Sequence, residues 1–417
     1  MNKKFVIVEP PHFIVDTISS IALSEGDEFY IISNEERYSG LNNACICDVR
    51  SEFNKAINFI SEKVKNPTAI VTIAEMFLTQ VDMLVKEFGL CRNNDETASI
   101  TRDKSRMKTV WNEKGIATPY SRFFKSSSEL KQSIDSLSYP CIIKPSLGYT
   151  SCGVKKVENE IELFEQLGKI FKLNATTLAR EGLKDIGFLV EEFIDGNEYS
   201  VDTIWFDGVP LCSGVLSREV APGPYYPDRL YYIDPALDKE LENKLLDISY
   251  RVAESAGVKF GATHTEIRVK NGEPYIIETT SRPGAGAIFY YLFEKAYEIS
   301  FYNIYYHVHM CSTYSEIERY LSGIQNKKVT NYYYYYYNLP YESEGIIDQI
   351  LGVDVINSRP EVLRTISFKK PGNILYKEDM SPDYFFWILG GIPIEHGCNL
   401  SEYVKQYDNM MDVIFVK

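Results

Sequence analysis

The residues best suited to chemistry stand in one run, His264-Thr-Glu266-Ile-Arg-Val-Lys-Asn-Gly-Glu-Pro-Tyr-Ile-Ile-Glu278-Thr-Thr-Ser-Arg282. Two short strand patterns, His264–Lys270 and Pro274–Thr279, flank Asn271-Gly272, a dipeptide suited to a hairpin turn. A divalent cation carried on phosphate oxygens takes one or two carboxylates, so a facing Glu266 and Glu278 would fit it. Arg282, at i+4 from Glu278, would steady the charge of a transferred phosphoryl group. The same residues also fit a plain hairpin with its charges in water. Register separates the two readings. A two-residue Asn-Gly turn sets Glu266 opposite Ile277 and turns Glu278 to the other face. The expectation is therefore a three-residue loop or a glycine bulge at Asn271–Glu273. A plain two-residue turn would keep the acids apart, unless a bulge elsewhere restored the register.

Two earlier segments carry related chemistry. Cys141-Ile-Ile-Lys144 ends a strand pattern in a lysine, and a loop with Ser146, Gly148, Thr150, Ser151 and Gly153 follows. Small residues let backbone N–H groups approach an anion, and the lysine adds a point charge. An exposed turn between strands would look alike. In Leu189-Val-Glu191-Glu192-Phe193-Ile-Asp-Gly-Asn-Glu198, carboxylates lie on both sides of an Asp-Gly turn. They suit adenine and ribose recognition, or a solvated surface hairpin. Arg218 suits a substrate carboxylate or phosphate, or a surface salt bridge; His264 is divided between a positioning role and a structural one. His307-Val-His309 lacks a third ligand and reads as core. Tyr332–Tyr337 reads as a strand with three rings on each face, for packing or for lining a substrate site.

These residues need elements to hold them. The first hundred residues alternate strand and helix patterns: Phe5–Val8, a helix through Ile14, Ile18 and Ile21, Phe29–Ile32, Phe53–Val64, Ala69–Ile73 and Phe77–Phe88. That alternation implies an open parallel sheet. Pro10-Pro11 follows the first strand where a dinucleotide fingerprint would carry glycines. A helix from about Thr101 to Lys114 and another over Lys239–Ala256 come next, and the last hundred residues are β-rich with a late helix, Leu400–Tyr407. At 417 residues the chain is long enough for several packed subdomains. The boundaries expected are 1–100, 101–188, 189–310 and 311–417. Lys and Arg total 44 against 58 Asp and Glu, a net charge of −14, which disfavours nucleic-acid binding. Eight cysteines form no CxxC pair, and no apolar run reaches membrane length. A reduced cytoplasmic protein without structural metal, nucleic-acid partner or membrane contact is the expectation.

The three functional segments, in this order and preceded by Arg102-Asp-Lys-Ser-Arg-Met-Lys108, resemble the ATP-grasp superfamily, and the bacterial L-amino-acid ligases within it. Ala74-Glu75-Met76 and Phe88-Gly-Leu-Cys91 resemble its usual preceding domain. The resemblance implies an α/β and α+β multidomain protein. Its parts would be an N-terminal α/β domain, two nucleotide-clamping subdomains and a β-rich C-terminal piece. It also implies roles. Lys104 and Lys144 would contact ATP phosphates, and the Ser146–Gly153 loop, with Gly148 and Ser151, would close over them. Glu191, Glu192 and Phe193 would meet adenine, and Glu198 the ribose. Glu266 and Glu278 would hold Mg2+, with Mn2+ as a substitute. Arg282 would stabilise an acyl-phosphate step, while Gly284, Gly286, Arg218 and His264 would face substrate. Thr280 stands where many relatives carry a further metal ligand, an asparagine. The activity implied is an ATP-dependent carboxylate–amine ligase, acting on small molecules such as amino acids, as a homodimer. Its alternatives are a bicarbonate-using carboxylase, a ligase loading an amino acid onto a carrier protein, and a nucleotide-binding regulator without turnover.

Overall fold

The computed structural model describes residues 2–175, 186–219, 224–321, 331–341, 343–376, 384–396 and 399–416. The N-terminal unit is a parallel sheet of β1 (Lys4–Val8), β2 (Glu28–Ser33), β3 (Ala44–Ile46) and β4 (Ala69–Thr72), in the order β3-β2-β1-β4. Phe5, Val6, Ile7 and Val8 are all fully buried, as a central parallel strand covered on both faces must be. The helix His12–Ser24 follows directly after Pro10-Pro11.

At the end of β1, Glu9 is buried against Ser33 Oγ, which donates at 2.7 Å, and the Asn34 N–H at 2.9 Å. Burial outweighs both bonds and lifts its pKa from 4.5 to about 7. A carboxyl raised in the folded state favours folding when protonated, so stability falls as pH rises from about 4.5 through 7 and then levels off. Glu9→Gln removes the charge; its amide oxygen can still accept from the Asn34 N–H while its amide N–H donates to Ser33 Oγ. It should be more stable than the parent at pH 8, by up to about 3 kcal/mol, and the gap should shrink at pH 5. Urea unfolding at the two pH values measures this.

The second unit is an antiparallel sheet of β5 (Ser121–Phe124), β6 (Cys141–Pro145), β7 (Lys155–Val157) and β8 (Phe188–Glu192), in the order β5-β8-β6-β7. Leu163, Leu167 and Ile170, at helical spacing on Glu160–Leu173, pack against Ile143, Val157 and Phe188. The β6–β7 loop leaves the sheet here, with Thr150, Ser151 and Gly153 all at positive φ.

The third unit contains β9 (Asn197–Phe206), β10 (Val209–Arg218), β11 (Leu230–Ile233), β12 (Gly261–Lys270) and β13 (Glu273–Thr280). Beyond them lie β14 (Tyr332–Asn338), β15 (Gly345–Leu351), β16 (Val362–Ser367), β17 (Ile374–Leu375), β18 (Phe386–Pro393) and β19 (Asp412–Phe415). One eight-stranded sheet runs β13-β12-β9-β10-β11-β14-β18-β16, and β17-β15-β19 form a small separate sheet. The division placed at residues 310 and 311 thus falls inside one continuous sheet, joined where β11 pairs with β14. The tyrosine strand alternates as its period requires: Tyr335 and Tyr337 pack in one core, Tyr336 in the other. That other core also contains Phe5 and Phe13, so the N-terminal unit and the large sheet share their packing. His307 is buried and His309 half-buried in the core, and burial keeps both neutral, pushing His307 down to about 4 and His309 to about 3. Among the described residues, no helix is long and apolar enough to cross a membrane.

The hairpin of β12 and β13 resolves the register question differently from expectation. Asn271 and Gly272 form a plain two-residue turn, both at positive φ, with Lys270 opposite Glu273. Nothing at that turn needs relief, because Asn-Gly adopts this geometry at little cost. The extra residue is taken up at Ile277: Ile267 pairs with Ile276, but Glu266 pairs with Glu278. A bulge away from the turn therefore brings the two acids opposite each other.

Candidate active site

One cavity of about 310 Å³ opens between the three units. Its base is built from strand alternation. On β12, every second residue is polar (His264, Glu266, Arg268), and these lie opposite Asp202, Ser200 and Glu198 of β9. Neighbouring strands thus supply a patch of ionisable side chains on a hydrogen-bonded frame.

Glu278 accepts from Lys104 Nζ at 2.8 Å, and Lys104 also reaches the Gly148 carbonyl at 3.2 Å. Lys104 starts the helix Lys104–Glu113, which is fixed by the Asp103 side chain accepting from the Ser105 and Arg106 N–H groups. Burial raises the pKa of Glu278, aided by Glu75 and Glu266 and opposed by Lys104. Glu266 goes the other way. Burial works against its charge, but His264, Arg218 and Lys104 outweigh it and hold the pKa at about 2. His264 Nδ1 lies against Asp202, and Nε2 is 3.8 Å from Glu266. Burial opposes its charge too, yet Asp202 and Glu266 lift it to about 9. Two facing carboxylates in different protonation environments result.

Around them the ion pairs interlock. Lys144 Nζ is 2.7 Å and Lys108 Nζ 3.5 Å from Glu191. Both Glu191 oxygens therefore face lysines, and Glu191 also lines the cavity. Arg218 is no surface residue: it is buried, paired with Glu198, with Asp228 at 2.9 Å and with Glu266 at 3.9 Å. Arg268 donates from Nη2 to Glu198 at 2.9 Å. Glu198 thus sits between two guanidinium groups. Arg282 pairs with Glu75, which Arg102 also meets at 3.4 Å. Burial works against a charge on Glu75, but Arg282, Arg102 and Lys104 keep its pKa low.

Of the loop residues, Gly148 and Ser151 line the cavity, as do Glu192, Phe193 and Gly286. Ser146 and Gly153 do not. Ser146 is buried, tied through its backbone to Gly187 and Lys104, and Gly153 packs against Pro145 and Leu173. Gly284 also departs from expectation. Its N–H donates to Asp202 at 2.7 Å, so it is not free for a substrate carboxylate. A Cβ there would lie 2.5 Å from His264 Nδ1 and 2.9 Å from Asp202. Gly284→Ala should cost about 1–3 kcal/mol of stability, read by thermal melting, and should lower turnover by displacing His264.

Glu75, Lys108, Asp202, Asp228 and Arg268 belong to the site and were not among the expected residues. The alternation His264-x-Glu266-x-Arg268 was a visible signal for Arg268. Thr280, opposite His264, lines the cavity with its hydroxyl buried and without a hydrogen-bond partner among the described residues. Glu266, Glu278 and the Thr280 hydroxyl are hard oxygen donors of the kind Mg2+ takes. Among the described residues no cluster of three or more His, Cys, Asp or Glu forms a closed metal cage.

Residues 137–290 match the model of the ATP-grasp domain. Alanine–anticapsin ligase of Bacillus subtilis is 26% identical over 231 residues, covering 51% of this chain and 48% of that protein. The chain thus spans about half the length of such curated relatives. D-alanine–D-alanine ligase of Haemophilus ducreyi is 30% identical over 191 residues, 45% of this chain and 59% of that one. Among solved structures, an L-amino acid ligase from Bacillus licheniformis superposes with a TM-score of 0.84 at 21% identity, covering 100% of this chain and 99% of that one.

Proposed function

From the premise that this is an ATP-grasp protein, we propose that it joins a carboxylate to an amine at the expense of ATP, with amino acids as substrates. The observation that carries the reading is the convergence of Glu266, Glu278, Lys104 and Arg282 on one cavity. A carboxylate resists amine attack because its oxygen leaves poorly. Attack of a carboxylate oxygen on the γ-phosphorus breaks the bond to the β-phosphate and releases ADP. The amine nitrogen then attacks the acyl carbon, the bond to phosphate breaks, and the nitrogen loses a proton. Lys104 and Lys144 neutralise phosphate charge, the latter oriented by Glu191, and Arg282 stabilises the phosphoryl oxygens as the acyl phosphate forms. Glu266 and Glu278, with the Thr280 hydroxyl, would hold Mg2+ or Mn2+, which when bound neutralises charge on the phosphate oxygens. Phe193 and Glu192 form the base-binding wall, and the remaining lone pairs of Glu198 face the ribose. The loop from Ser146 to Gly153 excludes water, which would otherwise hydrolyse the intermediate. ATP and free amino acids as reactants put the reaction in the cytoplasm.

A screen of amino-acid pairs for ATP-dependent phosphate release, with product mass measured, tests the proposal. An amide product is the expected result. Phosphate release that needs bicarbonate, or an acylated carrier protein as the sole product, would replace it.

A further inference from the structure

The cavity has a second end, where the N-terminal unit meets β14 and β18, and its walls there are aromatic. Phe13, Tyr336, Phe368 and Tyr384 all pack on Trp387, with ring centroids 5.5, 5.0, 4.4 and 4.8 Å away. All four contacts are edge-on or T-shaped. This end adjoins the reacting groups. Tyr384 donates to Asp228 at 3.0 Å, and Asp228 is 2.9 Å from Arg218. The Phe289 ring lies 5.9 Å from that of His264 and 5.6 Å from Tyr336.

We infer that this aromatic chamber receives the side chain of one amino-acid substrate and selects a large apolar or aromatic one, an inference that rests on the ligase reading. Phe13, Tyr336 and Trp387 are 9%, 1% and 2% exposed, and Phe368 and Tyr384 are half-buried, so these walls are largely shielded from solvent. A polar side chain entering the chamber loses more hydration than two wall donors can replace. A ring gains edge-to-face contacts on several sides. Asp228, the acid beside these rings, is already engaged by Arg218, Tyr231 and Tyr384, so it is poorly placed to pair with a cationic side chain. Two donors in these walls, Trp387 Nε1 and Tyr336 Oη, are buried without a hydrogen-bond partner among the described residues. Unpaired buried donors are rare in native folds, and an acceptor on a bound ligand would remove their cost.

Calorimetric titration of the full chain, saturated with MgADP, with L-phenylalanine, L-alanine and L-lysine tests this without requiring turnover. Phenylalanine should bind at least about tenfold tighter than either of the others, a difference of one buried ring. Phe368→Ala should cut the phenylalanine-to-alanine ratio about fivefold or more, and Phe13→Ala, on a different element, should do the same. A separate titration of each nucleotide-free variant with MgADP shows whether it is folded. Equal affinities in the parent, or an unchanged ratio in a folded variant, would overturn the chamber. A protein that prefers phenylalanine but makes no amide with any amine sinks the ligase reading instead, and one that makes amides only from small or charged amino acids sinks the chamber alone.

Discussion

Glu278→Gln is expected to lower ATP-dependent phosphate release by about a thousandfold, the scale seen when a group that stabilises transferred charge is removed. The substitution preserves shape and removes only charge. Glu278 stands opposite Glu266 because of the bulge at Ile277, and Lys104 holds it at 2.8 Å. An amide oxygen there is a far weaker partner for a divalent cation than a carboxylate. The fold should tolerate the change. Burial and two neighbouring acids already raise the pKa of Glu278, so its charge is unfavourable in the folded protein above the carboxylate range. Removing that charge offsets the loss of the Lys104 ion pair, and the melting temperature should hold to within a few degrees. Steady-state phosphate release and a thermal melt on the same sample separate the outcomes. Near-normal turnover would remove Glu278 from the metal-binding pair. Lost turnover with a collapsed melt would make it a structural residue.

The order of chemical groups along the chain was readable, and so was the α/β start. Lysine at a strand end, a loop of small residues, paired acids and an arginine at i+4 are combinations that few structural needs produce. The site's wiring was not readable, for reasons that are specific. The pairing of β9 with β12 joins residues some sixty positions apart, and nothing local announces it. Without that register Asp202 looks like an ordinary strand residue, although it takes both the His264 ring and the Gly284 N–H. Glu191 shows the same limit. Its type suggested a ligand contact, but nothing local announced that two lysines from separate elements would lie against its oxygens. The bulge was foreseen as a need and misplaced in position, because Asn271-Gly272 already forms an unstrained turn and the adjustment falls where the acids must meet. The continuity of the sheet into the last hundred residues rests on β11 pairing with β14, another long-range choice.

These long-range pairs explain how the site can hold so much charge. Glu198, Arg218, Arg268, Asp202 and His264 are all buried, and isolated they would each be costly. Cross-strand register places every one of them against an opposite charge, which offsets the desolvation. The arrangement positions groups without needing the substrate to do so, and pre-organised charge of this kind is what phosphoryl transfer uses.

Arg282→Ala is expected to lower turnover by about a hundredfold to a thousandfold, and the physical question is how to tell that loss from damage to the fold. Arg282, its side chain 15% exposed, pairs with the buried Glu75, and removing it leaves Glu75 with Arg102 as its remaining guanidinium partner. Breaking a buried pair from one side costs about 3–5 kcal/mol, largely through the charge left behind. The single variant should therefore melt earlier and also react slowly. Glu75→Gln combined with Arg282→Ala removes the stranded charge, so the pair of changes should recover much of the stability. It should recover none of the rate, because no guanidinium then faces the transferred phosphoryl group. Melting temperature and the rate of amide formation, measured across the parent, both single variants and the double, give the two couplings. Rate recovery in parallel with stability would assign Arg282 to holding the N-terminal unit in place. Stability recovery without rate would assign it to the phosphoryl group itself.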